Sequence, residues 1–480
     1  MPEVTDADTT DVAPIGGTFP PRTLPARTLA GHDNPSSKRV SAAQVLQFGT
    51  SDEDVVWSVA IEQGQRAMGG STRGLLGATS GGGKDAFIRF DTLSGGSPRY
   101  DQFGTVEGDE VRDLLMHDRG SGLEAYAVGQ TDGPLVSGDV DGWDPASGDG
   151  FLRIVGALNT NVRLTHQLGT GKLEELLSIE LAGERIFIAG GTLGTLGDEK
   201  FGDEDNIVLR YRLDGTRDRV QQFGTDKFEE VLGLAFDGDG IFVAGQTNGD
   251  LLEALPWQST YGRDGFGNDA FLARFGVDGT PEWLFMLGAD GWDAAQGVVV
   301  GDDAVYLVGR VEQTPVDGCV PVAGVVVGCD GQPVPPKPAV TPEYDDGFVL
   351  KIALDEQRRP HETGGWMDVF GGCQGDTAQG VVLGSSSTGE PELYVVGGHR
   401  GGEAHGGPIA EEEALLRIYD PADGRLIDEW VIASAGYDRV LDLAQDPTTK
   451  TVHVVGQTQG ALPGATTAGS CDAFVITVPR

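Results

Sequence analysis

Long apolar runs are missing from these 480 residues, and without about 18 such residues in a row no segment reads as a membrane-spanning helix. Basic residues are outnumbered. The chain has 34 lysines and arginines against 74 aspartates and glutamates, for a net charge of −40. A surface of that sign repels phosphate backbones and anionic lipid, which excludes nucleic acid as a partner and argues against membrane insertion. Long amphipathic helical patterns are absent too, and aromatics make up only 7%. The opening, MPEVTDADTTDVAPIGG, has no apolar h-region and so shows no secretory leader. Two expectations follow: an internal protein, or a chain that starts after a removed leader. Cysteine is scarce, at 4 residues, with no CxxC pair and no close histidine spacing of the usual zinc kind. Cys319 and Cys329 share a Pro- and Gly-rich excursion, whereas Cys373 and Cys471 stand apart. An even count in loops predicts two disulfides and an oxidising compartment, with buried free thiols as the alternative.

What the chain has is glycine, 75 residues of it, and repetition. QFGTSDED from Gln47 returns as QFGTVEGDE from Gln102, QLGTGKLEE from Gln167 and QFGTDKFEE from Gln222. Five positions after the box glycine stands an acid: Asp54, Asp109, Glu174, Glu229, Asp293, Asp376 and Asp438. These acids recur roughly every 60 residues, a period that signals a repeat architecture. Each unit holds four short runs rich in Val, Ile, Leu and Phe, bounded by Gly, Asp or Asn, which are strand signals. The second run ends on a Gly-Gln-Thr type turn, as in EAYAVGQT and TVHVVGQT, and the third opens on Asp-x-Phe, as in DAFIRF and DAFVITV.

Four antiparallel strands per unit must bury two faces. Stacking such sheets around an axis buries both, and closing the ring removes the open ends. The seventh unit stops after its third run, and the missing fourth is supplied before the first box by KRVSAAQVLQFG. The expected fold is an all-β, seven-bladed β-propeller closed by an N-terminal strand. Residues 1–38 form an acidic, Pro-rich tail, 39–480 the propeller, and 311–345 an insertion in blade five.

The FGT box, the following acid, the VGQT turn and the DAF opening together resemble the SBBP family of bacterial seven-bladed propeller repeats. The resemblance covers roughly residues 39–480 and implies a secreted or surface-exposed protein. Blades five to seven depart from it. Arg310–Val311 and Gly398–His399 replace Gln–Thr, and in blade six the Asp-x-Phe acid is either Glu412 or Glu413.

Antiparallel order puts the box acids and the Asp-x-Phe acids (Asp85, Asp149, Asp205, Asp269, Asp346 and Asp472) on one rim. One reading makes them acceptors for turn N–H groups and for Thr131, Thr192, Thr247 and Thr458. The other is cation binding, because carboxylate oxygens suit calcium. Its best candidates are Asp139, Asp141, Asp144 and Asp149 in blade two and Asp198, Asp203 and Asp205 in blade three. The former set has a DxDGxD start but lacks the bidentate glutamate of an EF-hand loop. Basic residues that follow the third-strand acids (Arg89, Arg153, Arg210, Arg274, Lys351 and Arg417) read as blade-to-blade ion pairs.

Catalytic patterns fail one by one. GATSGGGKD has alanine, Ala78, where a phosphate loop needs glycine, and Asp85 where it needs Ser or Thr. His399, Glu403 and His405 lie in a Gly-rich loop without a clear further ligand, and no GxSxG elbow occurs. His453 reads as a packed core histidine, and Trp143, Trp257 and Trp292 as loop tryptophans able to stack on sugars. The expected role is an extracellular or cell-surface scaffold that binds a protein or neutral glycan through one rim, with calcium as a candidate cofactor. The rival is an extracellular hydrolase or lyase using acids such as Asp54 and Asp293 with a metal at the channel mouth.

Overall fold

The computed structural model describes residues 28–29, 37–77, 79–136, 147–252, 254–262, 268–288, 291–313, 344–361, 363–371, 375–400 and 412–480. Seven sheets are arranged in a ring, each built around four antiparallel strands in chain order from the axis outward. The inner strands are Asp54–Glu62, Asp109–Asp118, Glu174–Ala182, Glu229–Phe236, Ala294–Val300, Thr377–Ser385 and Asp438–Gln445. They define blades 1 to 7. Blade 7 takes its outer strand from the other end of the chain: Val45–Phe48 pairs antiparallel with Asp472–Val478, Val45 opposite Ile476. The expected closure is therefore present.

Each sheet packs both faces on its neighbours, so the middle strands lose the in–out alternation of a half-exposed strand. Every residue of Gln65–Thr72 and of Gly240–Thr247 is buried. The Asp-x-Phe phenylalanines Phe87, Phe151, Phe271, Phe348 and Phe474 are all at most 1% exposed. Burying one such ring stabilises by about 1.5–3 kcal/mol. Blade three uses Ile207 at that slot and blade six Leu415, both buried.

One local irregularity recurs in all seven blades. The inner strand slips register by one residue, leaving a bulge at Trp57, Arg112, Leu177, Leu232, Gln296, Gln379 and Leu441. The bulge drives an inner-strand carbonyl toward the second strand. An added Cβ at Gly70 would lie 1.9 Å from the Val55 carbonyl oxygen, and one at Gly190 1.8 Å from that of Glu175. The glycine of the Gly-Gln-Thr turn is the residue this approach requires.

Fifth strands lie on three outer edges. Ser259–Gly262 runs parallel to the outer strand of blade 4, Thr28–Leu29 to that of blade 5 and Lys38–Arg39 to that of blade 6. Parts of the 1–38 stretch thus lie along the propeller's side. In blade 5 the strands run on to Gln313 and resume at Tyr344. Residues 314–343, with Cys319 and Cys329, fall outside the described residues.

Candidate functional site: the blade seams and the central channel

In blades 1, 2, 3 and 7 the repeated words become a hydrogen-bond clamp that ties the outer strand to the third-strand acid and to the turn after the second strand. Gln102 donates Nε2 to Asp85 (2.8 Å) and to the Gly74 carbonyl (2.9 Å), while its Oε1 accepts from the N–H groups of Leu76 and Gly77. Gln222 does the same with Asp205, Gly194, Leu196 and Gly197. Gln167 joins Asp149, Gly133 and Leu135, and Gln47 joins Asp472, Gly460 and Leu462. The box threonine and the turn threonine hold the other acid. Glu174 accepts from Thr170 N (2.8 Å), Thr170 Oγ1 (2.5 Å) and Thr192 Oγ1 (2.7 Å). Asp54, Asp109, Glu229 and Asp438 are held alike, by Thr72, Thr131, Thr247 and Thr458 from the second strands. Asp293 accepts from the Glu312 N–H (2.9 Å) instead.

The two acids of a seam straddle the box glycine. A Cβ at Gly104 would meet Asp85 at 2.5 Å and Asp109 at 2.8 Å, and one at Gly371 would meet Asp346 at 2.1 Å and Asp376 at 2.9 Å. All of these acids are buried. Burial pushes the carboxyls of Asp54, Asp109, Glu174 and Glu229 upward against their hydrogen bonds, and the neighbouring seam acid adds to the rise. The rim acids are buried struts at the seams. In blade six the pairing of Glu413 with His399, two residues beyond the bulge glycine Gly397, gives the acid slot to Glu413.

The loop acids part company with the rings. Asp205 is buried and accepts from the N–H groups of Phe201 and Gly202, whereas Asp198 and Asp203 are exposed. Asp139, Asp141 and Asp144 lie outside the described residues, as do Glu403, His405 and Trp143. Among the described residues, no group of three or more His, Cys, Asp or Glu side chains is placed to hold a metal ion. Cys471 is fully buried and no described cysteine is free, while Cys373 falls outside the description. Of the third-strand basic residues, Arg153 crosses to Asp101 of blade 1 and Arg417 to Asp368 of blade 5. Arg89, Arg210 and Arg274 pair within their own blades. His453 is buried with Nδ1 3.1 Å from Arg66, and burial followed by that guanidinium pushes its pKa down to about 4. It is a core histidine.

The channel is where the repeat breaks. All seven blades line a cavity of about 290 Å³ on the axis. One residue past the bulge, blades 4, 5 and 6 carry Gly233, Gly297 and Gly380, while blades 7, 1, 2 and 3 carry Asp442, Ser58, Asp113 and Ser178. Ser58 donates Oγ–H to Asp113 Oδ1 (2.8 Å). Asp113 Oδ2 accepts from the Ile179 N–H of blade 3, and Asp442 Oδ2 from the Val59 N–H of blade 1, each at 2.9 Å. Burial raises Asp113 to about 6 and Asp442 to about 7, and the charge of Asp113 adds to the second shift. The bulges themselves add Trp57 with Arg112 stacked over its ring at 4.1 Å.

Toward the acid-side mouth the asymmetry continues. Glu110, Glu175 and Glu230 follow the box acids in blades 2 to 4; the corresponding residues in blades 5 to 7 are Ala294, Thr377 and Arg439. Burial alone would raise Glu110, but Arg112 and Lys84 hold it below the usual carboxylate range. Glu204 moves the other way, pushed up to about 8 by burial and then by Glu230 and Glu175. On the opposite side a cavity of about 350 Å³ is lined by Arg310, Arg439, Gln296, Gln379 and Thr377 together with the carboxylates of Glu230, Asp345 and the seam acid Asp376. Arg310 lies 3.8 Å from Asp345. Neither channel cavity is lined by Asp54 or Asp293. Departures from the repeat pattern were expected in blades five to seven; the channel adds blades one and two.

No protein-family model matches the chain, and no curated protein matches it by sequence. Solved structures match by fold. Drosophila Plexin A, in complex with Semaphorin 1b, aligns over 92% of this chain and 88% of its own at 9% identity, with a TM-score of 0.46. Drosophila Semaphorin 1b, extracellular domains 1–2, gives the same coverages at 9% identity and a TM-score of 0.45. The β-propeller domain of the Pyrococcus furiosus Trilobed protease aligns over 89% of this chain and 98% of its own at 10% identity, with a TM-score of 0.40. At such identities the likeness concerns the fold alone.

Proposed function

We propose that this protein is a ligand-binding scaffold of the SBBP kind, secreted or surface-displayed, whose partner enters the central channel from the acid-side mouth. That partner is a protein segment or the end of a glycan. The supporting observation is the placement of Trp57, Arg112, Gln296, Gln379 and Arg439 around the channel, where the repeat alone would put like residues in every blade. A structural residue recurs with the blade period; one that answers to a ligand need not. The metal-assisted hydrolase or lyase is disfavoured because Asp54 and Asp293 are buried at seams with hydrogen-bond donors on them.

The full chain on glycan and peptide arrays tests this, with Arg112→Ala and Gln379→Ala beside the unmodified protein. A ligand whose signal drops in both variants supports the reading; undiminished binding in both, or no ligand at all, sinks it. Calcium is a second reading, confined to the blade-two loop. The buried Oδ1 of Asp149 has no hydrogen-bond partner among the described residues and stands beside that loop. Added calcium should then raise the Tm and EDTA lower it, and Asp149→Asn should remove both effects. For the cysteines, a non-reduced mass two hydrogen atoms lighter per bridge would support the oxidising compartment.

A further inference from the structure

Resting on the mouth as the binding site, we infer that its ligand is a small polyhydroxylated carboxylate of the sugar-acid class, held in the cavity between blades 4 and 7. That cavity, about 350 Å³, falls in the range of sites for small molecules. Its lining is rich in donors. Arg439 has no ion-pair or hydrogen-bond partner among the described residues, in a chain where acids outnumber bases by more than two to one. Arg310 faces the same space with one edge toward Asp345 at 3.8 Å. Gln296 is unpartnered among the described residues, and Gln379 makes only a long 3.4 Å contact to Thr377.

Guanidinium groups match a carboxylate with two parallel N–H donors, and open amides offer a donor and an acceptor to adjacent hydroxyls. Of the cavity's two carboxylates outside the seams, Glu230 already accepts from Gln246 (2.7 Å) and Asp345 lies by Arg310, so the free capacity favours an anion. Among the described residues no aromatic ring lines this cavity, which argues against a stacked, apolar-faced ligand. The net charge of −40 opposes anions at long range. At 0.15 M salt that field is screened beyond about 8 Å, while Arg439 acts at contact.

Calorimetric titration of the full chain at 0.15 M salt tests the assignment, with galacturonate and glucuronate as probes and galactose, glucose and acetate as comparators. A uronate is expected to bind with a Kd of about 1 mM or tighter, at least tenfold better than its neutral sugar and than acetate. Arg439→Gln should weaken uronate binding tenfold or more, Arg439→Lys less, and the exposed Arg73→Gln not at all. An unchanged Tm shows that each variant folds. The inference falls if no uronate binds, if acetate binds as well as uronate, if neutral sugars bind equally, or if Arg439→Gln leaves affinity untouched. Neutral-sugar binding lost in Gln379→Ala but kept in Arg439→Gln would overturn the anion while leaving the mouth as the site. Binding insensitive to Arg439, Gln379 and Gln296 substitutions would overturn both.

Discussion

The seams and the channel are built from the same side-chain types, yet they use them in opposite ways. At a seam, Gln222 spends every hydrogen-bonding position of its amide on Asp205 and the turn beyond the second strand. In the channel, Gln379 has one long contact and faces open space. Seam acids sit in pairs around a glycine with glutamine donors on one and threonine donors on the other; the mouth acid Glu204 crowds against Glu230 and Glu175. The lesson concerns selection on repeats: where neighbouring blades must meet, identity is enforced by geometry, and where only solvent or a ligand is met, the blades are free to diverge.

The largest effect should come from unmaking the last seam. Removing residues 1–48 deletes the outer strand of blade 7 and the Gln47 clamp on Asp472; the expected outcome is loss of the cooperative thermal transition, read by calorimetry and circular dichroism. Next come paired glutamine substitutions, which set the two regions against each other directly. Gln222→Ala leaves a buried carboxylate, two N–H groups and a carbonyl short of partners and should cost about 3 kcal/mol. Gln379→Ala should stay within about 0.5 kcal/mol. Equal costs in urea unfolding would erase the distinction.

A pH series is expected to show a smaller change. Asp113 and Asp442 have folded-state values of about 6 and about 7 against an ordinary 3.8. The native protein therefore binds more protons than the unfolded chain across that interval, so these groups lose stability as pH rises from near 4, through both folded values, to near 8, and add no further change above it. Because they share Ser58, they titrate as a set. Between pH 5.5 and pH 8 the part of that loss still to come is on the order of 2–3 kcal/mol, and Asp442→Ser should shrink the gap between the melting temperatures at those two values. A gap of unchanged size would place the effect elsewhere. Smallest of all is Arg73→Ala. Its ion pair with Glu53 is half-exposed, and its removal should shift stability by less than about 0.5 kcal/mol.

Blade number, strand order, closure and the threonine contacts to the acids were legible because each is written several times over. A clamp that needs Gln, Gly, Thr and an acid at fixed offsets leaves those offsets in the sequence. The channel was not legible, for the same reason inverted. Trp57, Arg112 and Arg439 occur once each in strands that otherwise read as ordinary core, and the bulge that turns them toward the axis carries no residue signature of its own. Its mark lies on the partner strand, in glycines such as Gly70 and Gly190 that the inner-strand carbonyls demand. Setting the seven inner strands side by side from the box acid exposes the column Ser, Asp, Ser, Gly, Gly, Gly, Asp, whose irregularity was the available clue. The insertion with Cys319 and Cys329 has no counterpart in other blades, so repetition offered nothing to compare it with.

The strand Val45–Phe48 and its mate Asp472–Val478 have a consequence for biosynthesis. Gln47 and Asp472 are 425 residues apart, so residues 45–48 wait for the strand Asp472–Val478 to be made before they can settle. Until then, blades already formed stand in an open arc with two bare end faces, and the pause is a property of the wiring rather than of any slow bond rotation. A ribosome stall or a missing carboxyl-terminal segment would leave that arc exposed to proteases and to unfinished copies of itself.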